Sequence, residues 1–233
     1  MKNKMILALI GLLLSSTAFA MENDDPIVTK VMIDQLETRI QNGDDPLVLE
    51  ARAWVGTDLD KFVIKASAEQ VKNDLEELEL QALYSRAIAP YWDFQVGLRQ
   101  DQKPTPVKNW LALGFAGVAP YWFDIDSTLF IGESNQVALR FKAEYEAMIT
   151  QKWVLSPEIE VNLYSKDDAA TGAGSGLSNT QFGLRLRYEI WREFAPYIGI
   201  NWNKQYGNTA TFTKNAGGNT EASQLVVGIR AWF

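Results

Sequence analysis

Cysteine and histidine are both absent from this chain of 233 residues. Without cysteine the chain can form neither a disulfide nor a thiolate metal site. Without histidine it has no imidazole base, which excludes Ser-His-Asp catalysis and every histidine-bearing zinc site. No nucleophile in the sequence has a base of the usual kind close to it, so we expect a protein that is not an enzyme.

Long apolar runs are also missing after residue 20. No later stretch stays apolar for the roughly 18 residues that a transmembrane helix needs, which excludes a helical membrane protein. Basic residues are outnumbered, with 22 Lys and Arg against 29 Asp and Glu and a net charge of −7. This acidic balance argues against nucleic acid as a partner.

The N-terminus has the features of a secretory signal. Two lysines precede an apolar run that is too short to span a bilayer, and Ala18-Phe19-Ala20 is a small-x-small cleavage sequence. We therefore predict that residues 1–20 are a signal peptide. No cysteine follows the cleavage sequence, so no lipid anchor is expected. Residues 21–28 would form a short acidic periplasmic lead, and 29–233 the folded domain.

What the sequence does have is alternation of apolar and polar residues. From Val137 to Ile149 every second residue is apolar, and the residues between them include Arg140, Lys142 and Glu144. A strand with this period has one apolar and one charged face. A charged side chain facing lipid costs roughly 2–4 kcal/mol near the bilayer midplane, so the charged face must point inward. The alternation therefore predicts membrane-spanning strands around an enclosed lumen.

About twelve such segments can be placed, each near the length that a tilted membrane strand needs. Short turns alternate with long polar loops at 166–177 and 207–221, as in bacterial barrels with short periplasmic turns and longer extracellular loops. We predict an all-β, closed antiparallel transmembrane β-barrel of about 12 strands. Ten or fourteen strands remain open, and a soluble β-sandwich is the alternative fold. The predicted strands lie near 29–40, 46–56, 60–69, 72–86, 91–103, 108–118, 121–132, 135–149, 153–165, 178–190, 196–207 and 222–233.

A repeated Ala-Pro-Tyr sequence supports the division into hairpins. It occurs at 89–91, 119–121 and 195–197, each time just after a tight turn. Proline is tolerated at the first position of a strand, where no backbone donor is needed. The tyrosine and the tryptophans near it suit a membrane interface. We therefore expect outer-membrane lipid as a partner and the bacterial outer membrane as the location.

Charged residues on the inward faces are the candidate functional residues. A small barrel commonly fills its interior with paired polar side chains, so a structural barrel with a packed polar lumen is one interpretation. A narrow channel for small charged solutes is the other. The predicted lumen charge network consists of Glu69, Arg99, Asp101, Arg140, Arg185, Arg187 and Glu189.

Two pairs of acids are candidate metal ligands because they point inward on neighbouring strands and could hold a divalent cation. Carboxylate-only sites favour hard cations and select weakly for copper. The three methionines that follow the signal peptide are widely spaced and form no Met-rich copper motif. Neutralisation by nearby arginines is the alternative role of these acids. The predicted metal ligands are Glu144, Glu146, Glu158 and Glu160.

The most distinctive stretch of the sequence runs from Gly183 to Ile190 and from Arg192 to Gly199. Here, and more weakly from Leu83 onward, the chain resembles the copper-resistance protein B family of outer-membrane barrels. The resemblance implies a role in copper ion binding or export and in periplasmic copper homeostasis. It also implies a copper ion as cofactor and a periplasmic copper oxidase or carrier as partner.

The resemblance leads to an expectation for each end of the mature chain. Family members commonly carry a Met- and His-rich N-terminal extension thought to gather copper, whereas here that region is Met21–Pro26 and has no histidine. At the other end, the resemblance implies that the barrel-assembly machinery reads the free C-terminal strand. Phe233, the final residue, is therefore the predicted assembly signal.

Overall fold

The computed structural model describes residues 26–233, and most of these residues lie in β-strands. The predicted signal peptide, 1–20, and residues 21–25 of the predicted lead lie outside the described residues. No helix within the described range is long and apolar enough to cross a membrane.

The sheet contains β1 to β13, of which β8 and β9 pair with the same neighbour and are separated only by Glu146. They are two segments of one barrel strand, so the barrel has twelve strands. Outside the sheet, the described residues include one α-helix, α1 (Gly207–Asn215). The strands are β1 (Val28–Ile40), β2 (Leu47–Gly56), β3 (Asp60–Val71), β4 (Asp74–Ala89), β5 (Trp92–Lys103), β6 (Lys108–Ala119), β7 (Phe123–Gly132), β8 (Val137–Tyr145), β9 (Ala147–Met148), β10 (Trp153–Tyr164), β11 (Gly176–Tyr188), β12 (Phe194–Gln205) and β13 (Glu221–Trp232).

The sheet closes on itself. Each barrel strand pairs antiparallel with the next, and β13 pairs with β1. At the closure, Val31 and Phe233 exchange both of their backbone hydrogen bonds, at 3.0 and 2.8 Å. The prediction of a closed antiparallel barrel of about 12 strands is confirmed, and the predicted segments match the observed strands to within a few residues.

The outward faces of the strands are apolar. On β12 and β13 the side chains of Ile198, Ile200, Leu225 and Val227 are each between 49% and 61% exposed, while Val226 between them is 1% exposed. In water such a continuous apolar surface would be unfavourable. Against acyl chains it is the surface that a transmembrane barrel requires.

The two ends of the barrel differ. Because the number of barrel strands is even, both termini lie at one end, together with tight turns such as Pro90-Tyr91 and Pro120–Trp122. Tyr91 and Tyr121 in these turns are 72% and 84% exposed, as suits aromatic side chains at a membrane interface. The two longest connections, 165–175 and 206–220, lie at the opposite end. The predicted arrangement of short turns and long loops is confirmed.

A β-bulge in β1 alters which residues face inward. The register between β1 and β2 shifts between Ile33 and Gln35. Before the bulge the even-numbered residues of β1 share one face, and Asp34 on that face lines the lumen. After the bulge the odd-numbered residues Gln35, Glu37 and Arg39 face inward instead. The extra residue thus brings polar side chains from both halves of β1 into the lumen.

Part of the inner wall is apolar, which the alternation of charges did not predict. Trp110 faces the lumen and donates its indole N–H to Asp101 at 2.8 Å. Phe130 lies beneath the guanidinium of Arg99, 4.4 Å from ring centroid to Cζ. These rings narrow the lumen from one side. The buried inner cluster consists of Val63, Leu83, Trp110, Ala112, Phe130 and Ala138.

Candidate functional site, the charged lumen

The lumen encloses a cavity of about 480 Å³ that is lined mainly by charged and amide side chains. Strand alternation supplies this lining, because every second residue of each strand points inside. Most of the lining charges are engaged in ion pairs, and several of these pairs connect strands that are far apart in the barrel. The contacts lie at three levels along the barrel axis, with two groups of contacts at the central level.

At the centre, Glu37 is the most enclosed charge, with 1% of its surface exposed. Its carboxylate accepts two hydrogen bonds from Arg185, both at 2.9 Å, and one from Arg39 at 2.8 Å. The hydroxyl of Tyr197 donates a fourth at 2.9 Å. Two guanidinium groups and a hydroxyl therefore compensate a carboxylate that no water reaches, as a buried charge requires.

A second central group crosses the lumen. The Lys142 ammonium lies 2.6 Å from a carboxylate oxygen of Glu50, although β8 and β2 are six strands apart around the barrel. Lys142 also approaches Glu158 to 3.5 Å, and the Gln35 amide donates to Glu158 at 2.9 Å. Lys142 and Glu158 lie on neighbouring strands, whereas the Lys142–Glu50 and Gln35–Glu158 contacts divide the interior, because both span space that an open pore would leave free.

Towards the loop end, Glu79 lies between two arginines. Arg140 of β8 donates to both of its oxygens at 2.8 and 2.9 Å, and Arg99 approaches it to 2.8 Å. Arg99 also pairs with Asp101 at 2.7 Å, and Arg140 lies 3.5 Å from Glu160. Bidentate guanidinium–carboxylate pairs of this kind are the most directional ion pairs in proteins.

Towards the end with the termini, Glu146 plays the corresponding role. Arg187 and Arg230 approach it to 2.7 and 2.5 Å, and Arg187 is also 3.5 Å from Glu144. Glu146 separates β8 from β9, and the register places it opposite Ser156 of β10, next to Pro157. The missing backbone N–H of that proline is consistent with the gap in the ladder.

The structure brings together six of the seven residues predicted for the lumen network. Glu69 lines the same cavity and stands directly opposite Glu77 in the β3–β4 register. Glu189 lies apart, because β11 ends at Tyr188 and the following turn pairs Glu189 with Arg192 at 3.0 Å. The six that share the lumen are Glu69, Arg99, Asp101, Arg140, Arg185 and Arg187.

The most buried part of the lumen was not predicted from the sequence. Gln35, Glu37 and Arg39 alternate with Leu36, Thr38 and Ile40, which is the same signal used for the other strands. The signal was hidden because Asp34 breaks the phase on the N-terminal side, where the bulge lies. The Ala-Pro-Tyr repeat marks Tyr197 only as an interfacial aromatic, and nothing in the local sequence indicates its partner Glu37.

Comparison with known proteins identifies the family. A family model described as "Copper resistance protein B precursor (CopB)" matches residues 27–233. Copper resistance protein B of Escherichia coli is 39% identical over 211 residues, covering 91% of this chain and 71% of the relative. The chain belongs to the copper resistance protein B family. A homolog of copper resistance protein B in Pseudomonas syringae pv. tomato is also 39% identical over 211 residues, with coverage of 91% and 72%.

Solved structures show which fold this member of the copper resistance protein B family shares. The NanC porin matches 88% of the chain and 99% of its own, with a TM-score of 0.58 and 10% identity. The KdgM porin has the same coverage, a TM-score of 0.53 and 12% identity. At these identities the likeness concerns the fold alone. It is the fold of outer-membrane porins, in agreement with an outer-membrane location and contact with the lipid bilayer.

The name of the copper resistance protein B family refers to copper. The question is therefore whether the four predicted metal ligands are arranged to hold a copper ion. Within residues 26–233, no three acidic side chains are grouped so that they could hold a metal ion. Glu144 and Glu158 face each other in the β8–β10 register, and Glu160 faces Lys142. Each of the four predicted ligands contacts at least one arginine or lysine. The described residues therefore do not fit a resident copper ion.

Proposed function

We propose that this barrel supports copper tolerance from the outer membrane, handling copper ions as cargo in periplasmic copper homeostasis and export. Family membership is the observation that carries the proposal. The absence of a grouped metal site among residues 26–233 favours cargo over a resident cofactor. The role is non-catalytic, in keeping with a chain that has neither histidine nor cysteine.

The lumen supports passage rather than storage. Carboxylates such as Glu50, Glu79 and Glu158 bind divalent cations weakly, and each already has a cationic partner. A copper ion would have to compete with lysine and arginine at every step. Weak, exchangeable contacts of this kind suit an ion that moves on, and the pairs that cross the lumen would keep the flux low.

We further propose that copper reaches the barrel from a periplasmic copper oxidase or carrier. The end with the termini would face this partner, because both termini and the tight turns lie there. The role implied by the family supports this partner.

The direct test is copper tolerance of a strain that lacks this gene. We expect growth to fail at a lower copper concentration than in the parent, with more copper retained in the cell, and the full chain supplied in trans to restore both. Zinc tolerance of the same strains is the matched control. Normal copper tolerance and normal cellular copper in the deletion strain would refute the proposal.

A second experiment separates cargo from cofactor. The purified mature protein is equilibrated with copper, zinc or calcium, and bound metal is measured after desalting. We expect substantially less than one copper per chain to be retained. One tightly held copper per chain would contradict the cargo role and would place a metal site outside the contacts described above.

A narrow channel for small charged solutes is the second candidate function. It is favoured by the charged lining of the cavity and by the likeness to porin folds. Planar bilayer recording tests it. Small conductance steps that persist without copper, together with normal copper tolerance of the deletion strain, would favour the channel. No conductance under any condition would favour a structural barrel with a packed lumen.

A further inference from the structure

The two longest connections of the barrel pack against each other at the end opposite the termini. The Asp167 carboxylate accepts a hydrogen bond from the Ser175 backbone at 2.6 Å and one from the Asn208 amide at 2.8 Å. The Thr209 hydroxyl accepts one from the Gly174 backbone at 2.8 Å. We refer to residues 165–175 together with α1 as the lid.

The lid is internally ordered. Asp168 and Ala173 form an antiparallel bridge, with backbone hydrogen bonds of 2.7 and 3.1 Å. Thr209 on α1 is 7% exposed and also contacts the Ser178 hydroxyl at 2.9 Å. A Cβ atom at Gly174 would lie 2.2 Å from the Thr209 backbone nitrogen, so the close approach of loop and helix requires glycine there. These contacts allow the two connections to move as one body.

The lid forms the roof of the lumen. Thr171, Gly172, Thr209 and Thr213 line the same cavity as the charged side chains of the barrel wall, including Arg140. The lid therefore contributes to the enclosure of the charged interior at the loop end.

One ion pair ties the lid to a distant part of the wall. The Asp168 carboxylate lies 2.8 Å from the ammonium of Lys108, and the two side chains are 14% and 26% exposed. Lys108 is the first residue of β6, three strands around the barrel from β10, where the lid begins. Partial burial opposes ionisation of Asp168, but the Lys108 hydrogen bond and charge outweigh it and lower the pKa of the carboxyl. The Asp168 carboxyl is therefore ionised at neutral pH.

We propose that the lid is a gate over the outer end of the lumen, held closed by the ion pair between Lys108 and Asp168. Breaking this pair frees the edge of the lid that reaches β6, while the contacts of Asp167 and Thr209 keep loop and helix together. The lid then swings on its connections to β10–β13. The gate does not depend on which ion or solute passes, so it can be tested apart from the copper role.

The absence of native cysteine makes the test direct, because a single introduced thiol is the only one in the chain. Ser67→Cys places it on the cavity wall with little change in size. Labelling by a charged, water-soluble thiol reagent is followed in the purified, detergent-folded barrel, alone and combined with Asp168→Asn or Lys108→Gln. We expect labelling to be about tenfold faster when the pair is broken, equivalent to about 1.4 kcal/mol in the closing equilibrium.

A second readout reports on the lid itself. Lys166 and Lys214 are trypsin sites within the lid, and their cleavage should accelerate in the same variants. The thiol reagent could enter the lumen through the end with the termini and label every variant fast. In that case the rate of trypsin cleavage still shows whether the lid has been freed. A heat-modifiable gel band checks that each variant is a folded barrel.

The matched control is the ion pair of Lys72 and Asp44, which lies at the same end of the barrel. The Lys72 ammonium is 2.7 Å from the Asp44 carboxylate. It joins two neighbouring wall connections and does not cross the mouth, so Asp44→Asn should change neither labelling nor cleavage. The exchanged pair Lys108→Asp with Asp168→Lys should restore slow labelling. Unchanged labelling and cleavage in folded Asp168→Asn, or an equal acceleration in Asp44→Asn, would overturn the gate.

Discussion

At the scale of single residues, burial separates the charges that stabilise the barrel from those that do not. Glu37 is 1% exposed and contacts two guanidinium groups, whereas Glu189 pairs in a turn with an Arg192 side chain that is 62% exposed. The sequence pattern alone predicts the opposite order of burial. Alternation predicts that Glu189 faces the lumen, whereas the bulge in β1 shifts the alternation so that Glu37 is not predicted to face inward. Local periodicity carries no information about which partner arrives from a strand distant in sequence.

Glu37→Gln should destabilise the barrel strongly. The change leaves Arg185 and Arg39 buried with less negative charge, for which a loss of about 3–5 kcal/mol is typical. Urea unfolding in lipid vesicles, followed by tryptophan fluorescence, measures it. Glu189→Gln is the control and should cost less than about 1 kcal/mol, because its partner Arg192 is exposed. Equal midpoints for the two variants would show that the Glu37 network is solvated.

Gly132→Ala tests the inner apolar wall. Trp110 lies opposite Gly132 in the β6–β7 register, and a Cβ there would lie 2.5 Å from the indole ring. The ring must shift from its position, and crowding of this kind costs about 1–3 kcal/mol. Trp110→Phe is the comparison, since it replaces the indole with a smaller ring and removes the hydrogen bond to Asp101. Stability unaffected by Gly132→Ala would mean that the ring is free to shift.

At the scale of elements, strands were predictable and their interruptions were not. Alternation locates each strand because one face meets lipid and the other meets polar groups, so the period is enforced along the whole span. The helix α1 was expected to be a polar loop, since Gly207, Asn208 and three threonines are weak helix formers. Its contacts with the loop 165–175 stabilise it, and those contacts depend on residues that lie about 35 positions away.

Deletion of Phe233 should impair assembly more than it impairs the stability of barrels that do form. The residue closes the barrel through two backbone hydrogen bonds with Val31, and its side chain is 55% exposed. We expect fewer heat-modifiable, folded barrels in outer-membrane fractions, whereas Phe233→Tyr, which keeps a terminal aromatic, should assemble normally. Normal amounts of folded deletion protein would argue against a role for Phe233 as an assembly signal.

At the scale of the whole molecule, two opposite surfaces are built from one alternating pattern. The apolar face forms the outer wall, and the charged face becomes a set of ion pairs that cross the interior, such as Lys142 with Glu50. The sequence was sufficient for the barrel, its approximate strand number and its family. It was not sufficient for the lumen, because pairing across the interior depends on how twelve strands close and on where β1 bulges.

The central claim is that the apolar side of each strand touches acyl chains while the charged side faces an enclosed polar lumen. The most direct measurement uses single spin labels placed at successive positions of β13, from Gln224 to Arg230, in lipid vesicles. Collision with oxygen reports lipid, and collision with a water-soluble nickel complex reports water. The account predicts oxygen maxima at Leu225, Val227 and Ile229 and minima at the positions between them. Equal access along the strand, or a nickel maximum at Leu225, would contradict it.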